Sequence, residues 1–272
     1  MLNKITIIGV GLIGGSLAKS LKKNNFAKEI MGFGRNKNNL KNAKNLQIID
    51  SFSTELKDIE NSNIIVLATP VGSFKQVLEQ IKPYIKNQII TDVGSTKQSV
   101  ELDIKNILGD IDFVPAHPIA GKEKTGFENA DENLFLNKKV IITGGISKDI
   151  IKKMWHTTGA IVEEMDAKTH DDIFALTSHL PHILAFGLVG YMSKIKGCEK
   201  FIGGGFKDFS RIASSDSQMW ADICENNNIE ILKHLDEYQQ ELNNLKKLIK
   251  NGEKQQYKKY FLNAKNNRNS WI

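Results

Sequence analysis

The turn Gly9-Val10-Gly11-Leu12-Ile13-Gly14 carries the first chemistry that can be read from this chain. It closes a β-branched run, Lys4–Ile8, and opens a stretch with helical spacing, Leu12–Asn24. In that context Gly9 permits a tight turn, Gly11 lets backbone approach a pyrophosphate with no Cβ between, and Gly14 lets a helix pack closely on the strand. Leu12 and Ile13 begin the helix, whose N-terminus offers amide donors and partial positive charge to an anion. A glycine-rich turn without a ligand is the alternative. The adenosine ribose is usually read roughly 20 residues further on. That place holds Gly32-Phe33-Gly34-Arg35-Asn36, with no carboxylate. Arg35 can pair with a 2′-phosphate and stack on adenine. The expected cofactor is NAD or NADP, with a lean to NADP or dual use; Arg35 merely stacking on adenine, with NAD used, is the other reading.

Three further stretches concentrate polar chemistry: Asp92-Val-Gly-Ser95-Thr-Lys97, then Pro115-Ala-His117-Pro-Ile-Ala-Gly-Lys-Glu123, and Gly203 to Asp216 leading into Met219-Trp220. Oxidising an alcohol requires a base for the hydroxyl proton as hydride leaves. His117 ends a predicted strand, with Ser95 and Glu123 in neighbouring positions of these loops, and strand ends are where ligands bind in open α/β sheets. A structural loop histidine is the alternative. Lys207 and Arg211 are four apart and share a face if helical. Together they suit a dianion, arginine holding a carboxylate bidentately and lysine adding a point charge. A surface pair answering Asp208 and Asp216 fits the same residues.

These groups need a scaffold. Strand-like runs at Lys4–Ile8, Glu29–Phe33, Asn63–Ala68, Gln88–Thr91, Asp112–Pro115 and Lys139–Thr143 alternate with helical patterns. Such alternation predicts a mostly parallel sheet covered on both faces. From Asp166 onward only helical spacing remains: Thr169–Ile195, with a kink or break expected at Pro181, then Gln218–Cys224 and Ile229–Ile249. The last has Ile231, Leu232, Leu235, Leu242, Leu245 and Leu248 on one side. The fold class predicted is α/β: an N-terminal Rossmann-type doubly wound sheet over residues 1–165, followed by an all-helical domain over residues 166–272. Helical domains of this kind often bury apolar faces against a second copy, so a homodimer is expected.

Four stretches, in order, resemble the prephenate/arogenate dehydrogenase family. They are Gly-Val-Gly-Leu-Ile-Gly-Gly-Ser-Leu-Ala at 9–18, His-Pro-Ile-Ala-Gly at 117–121, Ser-His-Leu-Pro-His at 178–182 and Lys-Asp-Phe-Ser-Arg-Ile-Ala at 207–213. The resemblance implies oxidative decarboxylation of prephenate, or of its amino analogue arogenate, toward tyrosine. It implies His117 as the catalytic histidine on the C4 hydroxyl, with Ser95 supporting the same hydroxyl and the nicotinamide. Arg211 would bind a substrate carboxylate with Lys207 nearby, and His182 and Glu123 would line the pocket. Trp220 would reach the site from the neighbouring subunit. The chain ends soon after the helical region, so a monofunctional member is expected, without a regulatory ACT domain or a fused chorismate mutase segment.

Hydrophobic residues make up 40% and charged residues 25% of 272, so a sizeable core can form. The net charge of +6 is spread along the chain, apart from the lysine-rich tail Lys246–Arg268, which reads as a solvated amphipathic helix with a frayed end. Nucleic acid is therefore not the expected partner. Cys198 and Cys224, without zinc-ligand spacing, predict neither a disulfide framework nor a metal site. No charged leader and no apolar run of roughly 18 residues is evident. A cytoplasmic enzyme without a membrane partner is expected. Two other classes remain: a hydroxyacid or imine reductase, which would rely on a lysine on the inter-domain helix where this chain offers His170, His179 and His182, and a cofactor-sensing regulator, which would need neither His117 nor the Lys207/Arg211 pair.

Overall fold

The computed structural model describes residues 2–122 and 124–271 and divides them into two compact units, meeting in sequence between Asn228 and Ile229. The first unit opens with β1 (Leu2–Ile8), α1 (Leu12–Lys23), β2 (Ala27–Phe33), α2 (Lys37–Asn45), β3 (Ser51–Ser53) and β4 (Ile64–Leu67). It continues with α3 (Phe74–Ile81), β5 (Ile89–Asp92), α4 (Gln98–Leu108), β6 (Phe113–Val114), β7 (Ala116–Pro118), β8 (Lys139–Ile142), α5 (Lys148–Thr157) and β9 (Ile161–Glu164). Six strands form one sheet in the order β3-β2-β1-β4-β5-β6, every neighbouring pair parallel. This is the Rossmann order, with its crevice at the switch point between β1 and β4.

The alternation of strand side chains divides the interior into two cores. Ile5, Ile7, Ile64 and Val66 pack on one face with Leu17, Ala18 and Leu21 of α1, while Ile8, Ile65, Leu67 and Ile90 pack on the other with Phe74, Leu78 and Ile81 of α3. Such double-sided burial explains why β4 is apolar at every position.

Two expectations need correction here. Lys139–Thr143 does not continue the parallel sheet: β8 belongs to a separate three-stranded sheet, antiparallel to β7 and parallel to β9. The short β7 turns the chain out of the main sheet and brings His117 opposite Ile141. Pro181 does not end its helix. Helix α6 (Ala167–Phe174) runs through a π-helical segment, Ala175–His179, into α7 (Leu180–Met192). In a regular α-helix the proline ring clashes with the carbonyl four residues back, here that of Thr177. Thr177 lies within the wide turn, where the Leu180 amide donates to the Ala175 carbonyl, so the ring is accommodated without a break.

A third expectation also changes. The continuous helix Ala167–Met192 is 26 residues long and contains an 18-residue window of mean hydropathy 1.5, so it does reach a membrane-spanning length and composition. It carries buried His170, Asp171 and His179, and these are hydrogen-bonded into the site described below. Length and composition are therefore weak grounds for a membrane reading. The first unit closes with α8 (Gly204–Ser210) and α9 (Ser217–Asn226).

The second unit is helical. α10 (Asn228–Lys250) turns at residues 251–253 into α11 (Lys254–Trp271), and Tyr260 hydrogen-bonds Glu241 between them. The tail thus forms a helix of its own. The two helices together expose Leu232, Leu242, Ile249, Phe261 and Leu262.

Candidate active site

At the crevice the glycines behave as their spacing demands. Gly9 has φ +99°, and a Cβ there would lie 2.7 Å from the Ala68 carbonyl oxygen at the end of β4. A Cβ on Gly14 would sit 2.2 Å from the Gly9 oxygen, so helix and strand touch only because both residues are bare. A Cβ on Gly11 would meet nothing within 4 Å, which leaves its backbone facing open space. Gly11 caps α1 with no side-chain hydrogen bond and no acid in the first turn, so the leading amides are available to an anion. This cradle fits a pyrophosphate. Arg35 and Asn36 follow β2 on the surface, and Asn36 is committed to capping α2 through the Asn39 amide at 3.1 Å.

Beside the cradle lies a cavity of about 1780 Å³, lined by Gly11, Leu12 and Ile13, and further along by Ser95, His117, His182, Arg211 and Trp220. That is room for a dinucleotide together with a small substrate. Lys19, Lys122 and Lys124 also line it, and none of the three stands out by spacing alone. Lys207 is not among the lining residues. The α-helix ends at Ser210 and Arg211 begins a 3-10 turn, so the pair does not share one regular helical face. Glu123 lies outside the described residues. Trp220 was expected from a neighbouring subunit, but within this chain its ring stacks on His182, centroids 3.9 Å apart. Asp216 caps α9 through the Met219 amide, and α9 packs against the 3-10 turn Val71–Ser73, which holds the indole there. Its buried Nε1–H has no hydrogen-bond partner.

The strongest order surrounds His117. Its Nδ1 lies 2.8 Å from His170 Nε2, and His170 Nδ1 lies 2.7 Å from Asp171 Oδ1. Asp171 in turn accepts from the Lys97 amide at 2.8 Å and the Gln98 amide at 2.9 Å, at the start of α4. The tautomers follow from the acid end. A carboxylate can only accept, so His170 carries its proton on Nδ1 and accepts on Nε2. His117 must then donate from Nδ1, which leaves Nε2 with its lone pair. Burial, with the neighbouring His170, Lys97 and His179 adding to it, holds the His117 pKa well below the usual imidazole value. Burial lowers that of His170 too, against the pull of Asp171. Both rings are neutral at pH 7.

One buried ion pair fixes the backbone beneath. Asp92, ending β5, accepts from the Ala116 and Gly94 amides at 3.0 and 2.8 Å and pairs with Lys97, whose ammonium also donates to the Ala116 carbonyl at 2.8 Å. Both backbone groups of the residue before His117 are thereby tied. Lys97 is fully buried, and desolvation lowers its pKa while Asp92 opposes the shift. Removing one partner of such a pair typically costs about 3–5 kcal/mol. Lys97→Met should therefore lower the melting temperature by roughly 10 °C in a chain of this size, which thermal unfolding measures directly.

Two more histidines line the cavity with opposite polarity. Asn227 Nδ2 donates to His179 Nδ1 at 3.2 Å, so the His179 proton resides on Nε2. His182 donates from Nδ1 to the Ser178 carbonyl at 2.9 Å, leaving Nε2 as acceptor. Burial pushes the His179 pKa down to about 4. An unfolded histidine titrates near 6.5, so above that pH the group adds no pH dependence. Between about 6.5 and about 4 the unfolded chain takes up a proton that the native state refuses, and stability falls as pH falls. The loss from this group is roughly 3 kcal/mol, and His117 and His170 act in the same direction. Thermal unfolding at pH 7 and pH 4.5 should show it, and His179→Asn, which keeps an acceptor for Asn227, should flatten the difference.

Residues 17–164 match the domain described as "Prephenate dehydrogenase, nucleotide-binding domain", and residues 166–263 match "Prephenate dehydrogenase, dimerization domain". The prephenate dehydrogenase of Bacillus subtilis is 34% identical over 98% of this chain and 76% of its own length. The crystal structure of prephenate dehydrogenase from A. aeolicus in complex with hydroxyphenyl propionate and NAD+ superposes with a TM-score of 0.94 at 36% identity, covering 100% of this chain and 99% of that one. Synechocystis arogenate dehydrogenase gives 0.86 at 25% identity, over 99% and 100%. On this agreement of sequence across both halves with fold across the whole, the chain belongs to the prephenate dehydrogenase family.

Proposed function

We propose that this protein is a nicotinamide-dependent prephenate dehydrogenase, converting prephenate to 4-hydroxyphenylpyruvate and carbon dioxide in tyrosine biosynthesis. The observation that carries the reading furthest is the free lone pair of His117 Nε2 beside the cavity, its other nitrogen engaged by His170. A neutral imidazole in that state is the group an alcohol oxidation requires.

The bound nicotinamide supplies the hydride acceptor for the hydrogen on ring carbon C4. His117 draws on the C4 hydroxyl proton as that hydrogen leaves, with Ser95 on the same hydroxyl. The bond from C1 to the ring carboxylate then breaks, its electron pair enters the ring, and aromatisation drives the step. The oxygen at C4 regains a proton from His117, so the imidazole ends neutral. Arg211 holds a carboxylate, His182 and Trp220 shape the pocket, and Glu123 and Lys207 complete the set of candidates. Gly9, Gly11, Leu12, Ile13 and Gly14 hold the pyrophosphate. The division of labour falls near residue 165, with nucleotide binding before it and substrate binding and dimerisation after it. Leu188, Tyr191 and Ile195, exposed along α7 and just beyond it, supply apolar surface for a homodimer.

Arg35 and the absence of an acid after β2 favour NADP or dual use. The test is one matrix: purified protein with prephenate or arogenate, each with NAD or NADP, followed by absorbance of the reduced cofactor. Turnover of prephenate supports the reading, and turnover of arogenate alone replaces the substrate. Silence in all four with dinucleotide binding intact rejects the activity. Arg35→Ala should cut kcat/KM with NADP by about tenfold or more, the worth of a charge-assisted contact, and leave NAD nearly unchanged; equal losses with both would reject the 2′-phosphate contact.

A further inference from the structure

We propose that His170 and Asp171 are positioning residues for the reaction: the chain Asp171–His170–His117 fixes which nitrogen of His117 faces the substrate as a free base. The proposal rests on His117 being the base.

Three observations carry it. The two contacts, 2.7 and 2.8 Å, run head to tail through both rings, so one tautomer of His117 completes the chain without a clash of donors. Asp171 is held as an acceptor because the Lys97 and Gln98 amides both point at it, and Gln98 Nε2 approaches the same oxygen as its own amide at 3.4 Å. His170 and Asp171 are both fully buried, so water does not compete for these bonds. The groups facing His117 come from every packed element: His170 and Phe174 from α6, His179 from the π-helical segment, and Lys97 from the β5–α4 connection. Lys97 already answers Asp92, and His179 accepts from Asn227, so the direction of polarity at His117 is left to Asp171.

Asp171→Asn can reverse this logic with little change of shape. In the orientation that sets the amide nitrogen beside His170 Nδ1, where it also faces the Lys97 amide, that ring accepts at Nδ1 and donates from Nε2, and His117 must carry its proton on the nitrogen facing the substrate. In the other orientation the nitrogen faces the Gln98 amide and the tautomer is kept. In the first case the base is present but wrongly protonated, a fault that costs up to about 10⁴ in kcat in histidine–aspartate pairs of comparable design.

The test uses the full-length enzyme and four variants. His170→Asn can still bond Asp171 but cannot reach His117, and kcat should fall by about 10²-fold or more while KM and dinucleotide affinity stay within about threefold. His170→Gln puts a carbonyl oxygen near the lost Nε2 and should recover most of the rate. Asp171→Asn should lower kcat as well, to the extent that its amide takes the orientation that reverses the tautomer. In a His117→Asn background, His170→Asn should cost less than about twofold more, because the pair acts as a unit. Full activity of His170→Asn, or an equal loss repeated in the His117→Asn background, overturns the proposal. Asp171 also caps α4, so an Asp171→Asn protein that fails to fold leaves the decision to the two His170 variants, which do not touch the cap. If His117→Asn itself keeps normal turnover, the base assignment has failed; if it is inactive while His170→Asn is normal, only the positioning role has.

Discussion

His117→Asn should lower kcat by about 10²- to 10⁴-fold, the usual worth of a general base, and leave dinucleotide binding unchanged. The asparagine amide can still donate to His170 Nε2 from roughly the Nδ1 position, so the buried chain through His170 to Asp171 keeps its end partner. What disappears is the lone pair on Nε2. The distinguishing feature is the split: KM stays near normal because binding depends on other groups, and the rate collapses. The pH profile adds a second check. His117 acts in its neutral form, and its pKa lies well below the usual imidazole value. The acid limb of wild-type kcat/KM should therefore fall below pH 6.5, with activity rising as pH increases through it. Unchanged turnover in His117→Asn would remove it as base.

Arg211→Ala should do the opposite, raising KM by roughly 10- to 150-fold, as expected for about 1.5–3 kcal/mol from a charged hydrogen bond. Arg211 follows the last turn of α8 and lines the cavity; burial lowers the His182 pKa first, and the nearby Arg211 charge adds to that shift. Removing the guanidinium should let the His182 pKa rise toward its ordinary value, which NMR titration of the ring can follow. Dinucleotide affinity should not move, since the glycine turn is carried by β1 and α1. If KM barely changes, the carboxylate is held elsewhere, and Lys19, Lys122 and Lys124 on the same cavity become the groups to test.

Local features were legible and distant pairings were not. Gly9, Gly11 and Gly14 lie within six residues, and their order alone states the turn. His117 was legible by type and by its strand end. His170 and Asp171 were hidden because their partners sit 53 and 74 residues away, and only folding makes the contacts. A signal did exist: adjacent His-Asp on an apolar helix is hard to bury unless both are bonded. The Asp92–Lys97 pair stood inside a quoted motif, yet nothing local says that a lysine after a strand turns inward. The second sheet was missed because β7 is three residues long and β9 is largely exposed, so neither gives a clean apolar pattern. Lys207 and Arg211 were read as one helical face because spacing cannot reveal the tightening to a 3-10 turn.

The wide turn at Ala175–His179 has a consequence for how this helix can change over time. A π-helical turn amounts to one residue more than the α-helix needs, so everything after it is rotated by about 100°. Deleting any one residue there would restore a regular spiral and swing His182 away from Trp220. Pro181 stands against that repair, since its ring tolerates the wide turn but not the regular one. The proline thus guards the irregularity: losing the wide turn while Pro181 stays is penalised, and the aim of His182 beyond it is kept as the rest of the helix surface is free to vary.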